Sequence, residues 1–348
     1  MAKGAGFKTI LAAVKEASYG TALAVTEMIP FLSEGITHDQ TRSPDMSLIG
    51  EAGFNRTFTK PAEYGGPIEL SLDYGGLDLL IAAALGSAGS PNLFAGNDLY
   101  ENTYELTADV DVSLTLAANK DVEDGTGLLH EWPGDKIDKL TIKGEAGSDA
   151  PVSVTIDTVA EHHYTTADGS ITNTKSDISA ATLLDVPVTM FEDMVFSIGA
   201  ITAALDGDDA MCIGDFELVI DNGLRRLQTN CGLAEPERDK RRVITFSIGI
   251  PSYTSDQFNT WRNNNTELQA RLRFTRDVSG VTDTYYNEIR LGKIQVSDFQ
   301  TPTEGETIIA PKVEFSIIRA TTDNQTWTLM TEELEYYVIN GRSTSPLA

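Results

Sequence analysis

Hydrophobic and polar residues alternate with a period of two along much of the chain. From Leu106 one set reads Leu106, Ala108, Val110, Val112, Leu114 and Leu116, and the other reads Thr107, Asp109, Asp111, Ser113 and Thr115. A period of two sends successive side chains to opposite faces, so the pattern predicts a long half-buried strand with an acidic side. The same alternation recurs at Ile68, Leu70, Leu72, Tyr74, at Phe216, Leu218, Ile220 and at Ile244, Phe246, Ile248, Ile250. It returns at Leu268, Ala270, Leu272, Phe274 and at Val313, Phe315, Ile317. One apolar and one polar face per strand is the signature of antiparallel sheets. Two helices interrupt them. Within 76–86, Leu77, Leu80, Ile81, Ala84 and Leu85 fall on one stripe, with Gly86 as a stop. Within 255–264, Thr254 and Gln257 have capping-box spacing, and Phe258 and Trp261 share a face.

The order of these elements repeats. A polar stretch, an alternating strand (68–74, then 244–250), a break and one short helix occur twice. The second polar stretch, 222–242, opens on the turn signal Asn222-Gly223 and holds the basic run Lys240-Arg241-Arg242. Side-chain identity between the two regions is low, but the shared order predicts an internal duplication. The expected halves are 1–125 and 126–348, the second with acidic loops near 161–185 and 203–211. The fold class is mainly β: duplicated antiparallel domains, each with one short flanking α-helix and long loops.

Charge changes this picture by excluding functions. Lys plus Arg number 26 and Asp plus Glu 52, a net of −26. A field of that sign repels nucleic acid and anionic lipid, so neither phosphate-neutralising DNA binding nor peripheral membrane binding is expected. The acid is unevenly spread. Residues 1–221 hold 11 basic against 36 acidic side chains, a net of −25, while 222–348 hold 15 against 16, a net of −1. Two differently charged faces would result, one of them able to meet another copy or an acidic cargo; a more exposed first part accounts for the split equally simply. No stretch has the ~18 consecutive apolar residues of a membrane span, and the N-terminus lacks the apolar core of a secretory signal. Cys212 and Cys231 read as two ordinary thiols in a reducing cytoplasm, a bridge being allowed but not implied.

The search for chemistry yields little. The four histidines are His38, His130, His162 and His163. Adjacent His162 and His163 on an extended segment would face opposite ways, as an exposed polar pair. Neither cysteine has the neighbour a zinc site needs, and no nucleotide-binding, nucleophile-elbow or metalloprotease motif occurs. Asp206-Gly207-Asp208-Asp209 reads as a solvated turn without the bidentate glutamate of a calcium loop. Asp109 and Asp111 would stand about 7 Å apart on one strand face, which so many acids make uninformative. No metal, cofactor or catalytic residue is expected, and the chain reads as no enzyme. Arg225, Arg226, Lys240, Arg241 and Arg242, set among Glu235, Glu237 and Asp239, are expected to form an ion-pairing surface toward another copy. Trp132, Trp261 and Trp327 are expected as core or interface anchors.

Three stretches carry a family resemblance. The opening Lys8-Thr9-Ile10-Leu11 through Val14-Lys15-Glu16-Ala17-Ser18-Tyr19-Gly20-Thr21 resembles the start of tail tube (major tail) proteins of long non-contractile-tailed bacteriophages. The strand and Gly-Leu-Asp-Leu-Leu helix of 66–86 fit that family. So does 216–261, read as strand, Asp221-Asn222-Gly223-Leu224, polar loop, Arg241-Arg242-Val243 strand and Phe258/Trp261 helix. The resemblance implies a structural virion protein with a β-sandwich or half-barrel tube domain that assembles into rings stacked as a hollow tail tube. It implies a stacking arm at about 36–64. Six tube domains complete a ring, so two per chain require three chains, and one per chain requires six. The implied partners are further copies, the tape-measure protein and tail-terminator or tip proteins, with double-stranded DNA as a non-sticking cargo. The implied location is the virion tail, assembled in the host cytoplasm. An acidic lumen would repel phosphate, and Glu69, Asp73, Glu217 and Asp221 are the candidate lumen-facing acids, each also readable as a solvated outer position. Another β-rich virion component, a decoration or adhesin-type domain, is the alternative.

Overall fold

A computed structural model describes residues 8–45, 56–94, 98–120, 128–229, 232–252, 255–277, 284–301, 310–320, 324–327 and 330–348. Cys231, Thr254 and the middle of the expected arm, 46–55, lie outside the described residues. The first strands are β1 (Ile10–Lys15), β2 (Glu27–Ile29), β3 (Ser33–Glu34), β4 (Thr37–Asp39), β5 (Arg42–Pro44), β6 (Thr57–Thr59) and β7 (Glu63–Ser71). Helix α1 (Asp78–Leu85) leads to β8 (Asn92–Leu93), β9 (Tyr100–Glu105), β10 (Leu114–Lys120), β11 (Leu128–Glu145), β12 (Ser153–Ala160) and β13 (Tyr164–Thr165). After α2 (Lys175–Ala180) come β14 (Met194–Ala200), β15 (Ala210–Met211), β16 (Asp215–Asp221), β17 (Leu224–Thr229), β18 (Gly232–Arg238) and β19 (Val243–Gly249). Helix α3 (Gln257–Asn263) precedes β20 (Leu268–Asp277), β21 (Thr284–Gln300), β22 (Lys312–Ile317) and β23 (Leu334–Asn340).

Eight strand positions lie side by side. The ladder 33–39, formed by β3 and β4, pairs with β7. The order continues β7–β12–β11–β16–β19–β22–β21, antiparallel throughout. Only the C-terminal halves of β11 and β21 take part. The first half of β11 pairs with β10, which continues to β1 and β2. The first half of β21 pairs with β20 and β23, which continue to β14 and β9. Two long strands thus tie the eight-position sheet to the remaining strands. Between them lies one apolar core that includes Ile68, Leu70, Ile156, Leu140, Leu218, Phe246 and Phe315. The expected boundary between 1–125 and 126–348 lies outside the described residues, between β10 and β11, which are ladder partners.

The five shorter alternating stretches contain strands, and their apolar sets are buried as the period requires except at half-buried Ile244 and Ile317; Leu72, Tyr74 and Ile250 are buried just beyond the strand ends. The long stretch is no single strand. β9 ends at Glu105; Leu106 makes only an isolated bridge to Gly86, the chain is irregular to Ser113, and β10 begins at Leu114. Val110 and Val112 are still buried, so alternation persists without a ladder. Cations take the place of a partner strand: Arg242 Nη2 donates to Thr107 O (2.9 Å), Arg238 to Ala108 O and Lys136 Nζ to Val110 O (2.8 Å). Backbone carbonyls need partners, not specifically strands.

Helix α1 is buried on all sides, not along one stripe, because core covers every face. It stops at Gly86, whose φ of 100° suits glycine. Helix α3 starts two residues later than the capping-box spacing implies. Asp256 is the cap residue without a side-chain cap bond, so Gln257 opens the helix. Helix α2 lies inside the stretch expected to be loop. Thr174 and Asp177 form a reciprocal capping box there, and only Ile178 is buried.

Asp73 departs most from the alternating pattern. Alternation puts it outside, beside Glu69, yet it is buried. Its Oδ1 accepts from the N–H groups of Gly75 (3.2 Å), Gly76 (2.7 Å) and Leu77 (3.2 Å). The carboxylate thereby folds the chain from β7 into the turn before α1. A Cβ on Gly76 would lie 2.4 Å from Asp73 Oδ2, so this turn needs glycine. Burial, with Asp78 nearby, pushes the Asp73 carboxyl up to about 7 against the pull of the three N–H donors.

Asn222, fully buried at the end of β16, ties three elements. Its Nδ2 donates to Ala84 O of α1 (3.0 Å) and to Ile137 O of β11 (3.0 Å), and its Oδ1 accepts from Arg242 Nε (2.8 Å). Asn222→Ala strands the Ala84 and Ile137 carbonyls in a dry site. We expect a loss of about 2 kcal/mol or more, read as a lower urea midpoint at an unchanged m-value. A wild-type midpoint would show that the three bonds are dispensable.

For Asp73 the native state holds its proton more tightly than the unfolded chain, where the carboxyl titrates near 3.8. That contribution to stability is complete below the unfolded value and is lost as pH rises through about 7. Asp73→Asn cannot ionise and keeps an acceptor. The fall in Tm between pH 5 and pH 8 is expected to shrink by a few degrees in this variant, on the order of 1 kcal/mol or more. An undiminished fall would show that Asp73 ionises in the fold without cost.

Candidate assembly surfaces

The outward face of the eight-position sheet is assembled by register. One row reads Glu69, Thr155, Thr141, Val219, Thr245, Ser316, Gln295 from strand to strand. The rows on either side hold Asp157, Lys139, Asp221 and Ser153, Lys143, Glu217, Ser247, Glu314. Hydroxyls and charged residues share these rows, and opposite charges sit directly across strands, as at Asp157–Lys139–Asp221 and Lys143–Glu217. Of the four predicted acids, Glu69, Glu217 and Asp221 share this face. Asp73 does not, being turned to the helix start. Glu69 is exposed and accepts from Ser33 Oγ (2.8 Å). Asp221 is half-buried, accepts from Gly223 N–H (2.8 Å) and pairs with Lys240 Nζ (3.1 Å). The face is therefore mildly acidic and heavily compensated.

The predicted basic residues are mostly engaged within the chain. Arg226 Nη1 bonds Glu63 Oε2 (2.8 Å) and its Nη2 donates to Tyr64 O (2.9 Å). Arg225 pairs with Asp239 (3.1 Å), Lys240 with Asp221, and Arg242 is taken by Asn222 and Thr107. Arg241 is exposed. Together with Lys136 Nζ to Glu235 (2.6 Å) and Arg238 to Ala108 O, these contacts root the β17–β18 hairpin on β7, β11 and the 107–110 segment. The charge pattern showed ion pairing; that most of it would be internal depends on which loops the fold brings near, which no local pattern reports.

Two hairpins form sheets of their own, β5 with β6 and β17 with β18. The first stands within the expected arm, and its strands are mostly exposed. The ends of the expected arm belong to the body: Ile36 is buried, and Thr37–Asp39 pairs with β7. Two sheet edges also stand open. Among the described residues, no strand pairs with the outer side of 33–39, and none with the side of 295–300 that faces away from β22.

All four histidines converge beside the first open edge, which their scatter in sequence hides. His130 Nδ1 lies 2.8 Å from His163 Nε2, the two rings stack, and His163 also stacks on buried Trp132. His38 meets His163 edge-on, and His162 sits between Tyr64 and Tyr164. The expected exposed pair is thus half-buried against aromatic rings. Burial, with His130, His38 and Lys120 nearby, pushes His163 down to about 4. Among the described residues no group of three or more His, Cys, Asp or Glu is placed to hold a metal. The acidic turn at Asp206 uses its carboxylates on its own backbone, accepting from Asp208 N–H (2.8 Å) and, through Asp209, from Asp206 N–H (2.9 Å). Trp132 is core as expected, and Trp261 packs edge-on against Phe258. A groove of about 450 Å³ beside β14 is lined by Phe191, Met194, Phe196, Met211 and exposed Cys212, with little polar chemistry. No described helix is long and apolar enough to cross a membrane.

These surfaces suit association more than chemistry: a broad sheet with hydroxyl-rich outer face, open strand edges and two hairpins. No curated protein matches the chain. A family model described as phage tail tube protein matches residues 6–317 of the 348. The chain belongs to the phage tail tube protein family and is a structural component of the virion tail.

Proposed function

We propose that copies of this chain join edge to edge into rings, that the rings stack into a hollow tube, and that the genome passes through it during delivery. The observation that carries this reading is the eight-position sheet with an open edge at each end. A sheet with open edges adds strands from another copy, and a twisted sheet extended by identical units curves toward closure. The hydroxyl-rich face turns to the lumen, since the other face is committed to the core. Its paired charges leave few unpaired cations for phosphate to grip, while the remaining surplus of acid keeps DNA from adhering. The β5–β6 hairpin stacks one ring on the next. The arm proper is 40–62, because 37–39 and 63–64 are ladder residues and Ile36 is buried. The tape-measure protein inside and terminator or tip proteins at the ends are the further partners, met during assembly in the host cytoplasm.

Replacing 40–62 with a short Gly-rich turn should leave a folded, soluble subunit that forms rings but no tubes by negative-stain electron microscopy. Tubes of normal length from this variant would remove the stacking role. Glu69→Lys with Glu217→Lys reverses the charge of two outward acids without touching the core. Particles carrying both should assemble normally and eject DNA several-fold more slowly, more so at low salt. Unchanged ejection would place this face away from the DNA.

A further inference from the structure

The sheet pairings repeat within the chain. The first set runs from the 33–39 ladder to β7, β12 and β11, with β10 on the first half of β11. The second runs from β16 to β19, β22 and β21, with β20 along the first half of β21. In each set a two-stranded hairpin separates the first two strands, β5–β6 in one and β17–β18 in the other, and a helix follows the second strand. Ends of β7 and β19, Ser71 and Gly249, coincide in this alignment. Registers then make Leu140, Thr141, Ile142 and Lys143 of β11 equivalent to Val296, Asp298, Phe299 and Gln300 of β21, with Ser297 as a bulged residue.

The two sets are joined by β11 and β16, paired as Lys139–Asp221, Leu140–Ile220, Thr141–Val219, Ile142–Leu218 and Lys143–Glu217. Asn222 N–H extends this seam to Asp138 O (2.7 Å). On β21 the place that β16 occupies on β11 is the side of 295–300 on which no described strand pairs, where Asp298 Oδ1 accepts from Phe299 N–H (2.8 Å). On the 33–39 ladder the place that β11 occupies on β16 is the open outer side. Gly35 N–H is bonded inward to Pro67 O (2.8 Å), so the N–H groups of Glu34, Ile36 and His38 point to that open side. Glu34 Oε1 accepts from Ile36 N–H (3.1 Å), and Glu34 Oε2 pairs with Lys120 Nζ (2.8 Å). A carboxylate therefore occupies an edge donor in the free subunit, one of the ways edges are kept from pairing wrongly. Leu32 beside it is 68% exposed, while Phe216 at the equivalent position of β16 is fully buried.

Resting on the tube reading, we infer that a second copy of this chain docks its 33–39 edge on the 295–300 side of β21 in the register of the internal β11–β16 seam, displacing Glu34 from Ile36 N–H and Asp298 from Phe299 N–H. Gln300 then faces Ser33 of the partner subunit, Phe299 faces the partner's Glu34, Val296 faces the partner's Ile36 and Gln295 faces the partner's Thr37. Leu32 is covered as Phe216 is. Seams within and between chains become quasi-equivalent, so three copies present six like seams around a ring.

The experiment is disulfide trapping in assembled tubes, with Cys212→Ser and Cys231→Ser as background. Gln300→Cys with Ser33→Cys should give a ladder of linked subunits on oxidation, reversed by reductant. These two are outward, non-hydrogen-bonded neighbours within disulfide reach. Gln300→Cys with Thr37→Cys, four residues out of register, should stay unlinked. Tubes in which the first pair does not link, or only the second does, overturn the register while leaving the tube reading intact. Wild-type hydrogen exchange covers the case in which the cysteine variants do not assemble. Amides of 34–38 and 295–300 should slow about tenfold or more from subunit to tube. Tubes without that protection overturn the inference, and a wild-type protein that forms no tube removes the tube reading itself.

Discussion

From Lys139 to Lys143, β11 is hydrogen-bonded on both sides, to β12 and to β16, and that double pairing organises the molecule. It makes one continuous sheet of two four-strand sets that would otherwise meet only through side chains. Opposite charges stand across the ladder at Lys139–Asp221 and Lys143–Glu217, so a slip of one residue would break both pairs and turn Leu218 and Ile220 outward. Asn222 closes the end of the ladder by reaching α1 and β11 at once. The seam is thus held by backbone bonds, by burial and by a polar residue that is itself fully buried.

The other side of that arrangement is electrostatic. A chain of net charge −26 resists meeting itself. The fold spends five of the six cations of 222–242 on its own acids and carbonyls, at Arg225, Arg226, Arg238, Lys240 and Arg242. They fix the second hairpin in place, and so are not left as a general glue between copies. Contacts between copies must then come chiefly from backbone pairing and apolar cover, which are short-ranged and depend on register. Long-range repulsion with short-range, directional attraction favours ordered assembly over indiscriminate aggregation.

Much of the fold was legible in the residues. Strands at 68–71, 216–221, 244–249, 268–274 and 313–317 follow from alternation, and the repeat of strand and helix was visible as order, not identity. What alternation could not report is what sits opposite. Residues 106–116 alternate as a strand does, but Arg238, Arg242 and Lys136 arrive from distant segments to take the carbonyls. Asp73 follows the outward phase, but Gly75 and Gly76 let the backbone turn its N–H groups onto the carboxylate. Alternation also continues from Leu72 to Tyr74 after the ladder to β12 has ended, which is why the phase misleads there. The histidine cluster is assembled from three separate segments and leaves no local signal.

Open edges are the least legible feature and the one on which assembly turns. Whether a strand is an edge is a property of its neighbours, and 33–39 shows little alternation to announce even a strand. Its composition is informative only once the edge is known. Ser33, Thr37 and Asp39 face water, Ile36 faces the core, and Glu34 folds its carboxylate over the backbone donor two residues on. An edge built for permanent solvent exposure would have no use for an exposed Leu32 next to it. An edge built only to pair would need no carboxylate on its donor. Both together describe an edge that is protected in the free subunit and available to a partner able to supply a carbonyl in the right register, which links the chemistry of one glutamate to the order in which a tube can form.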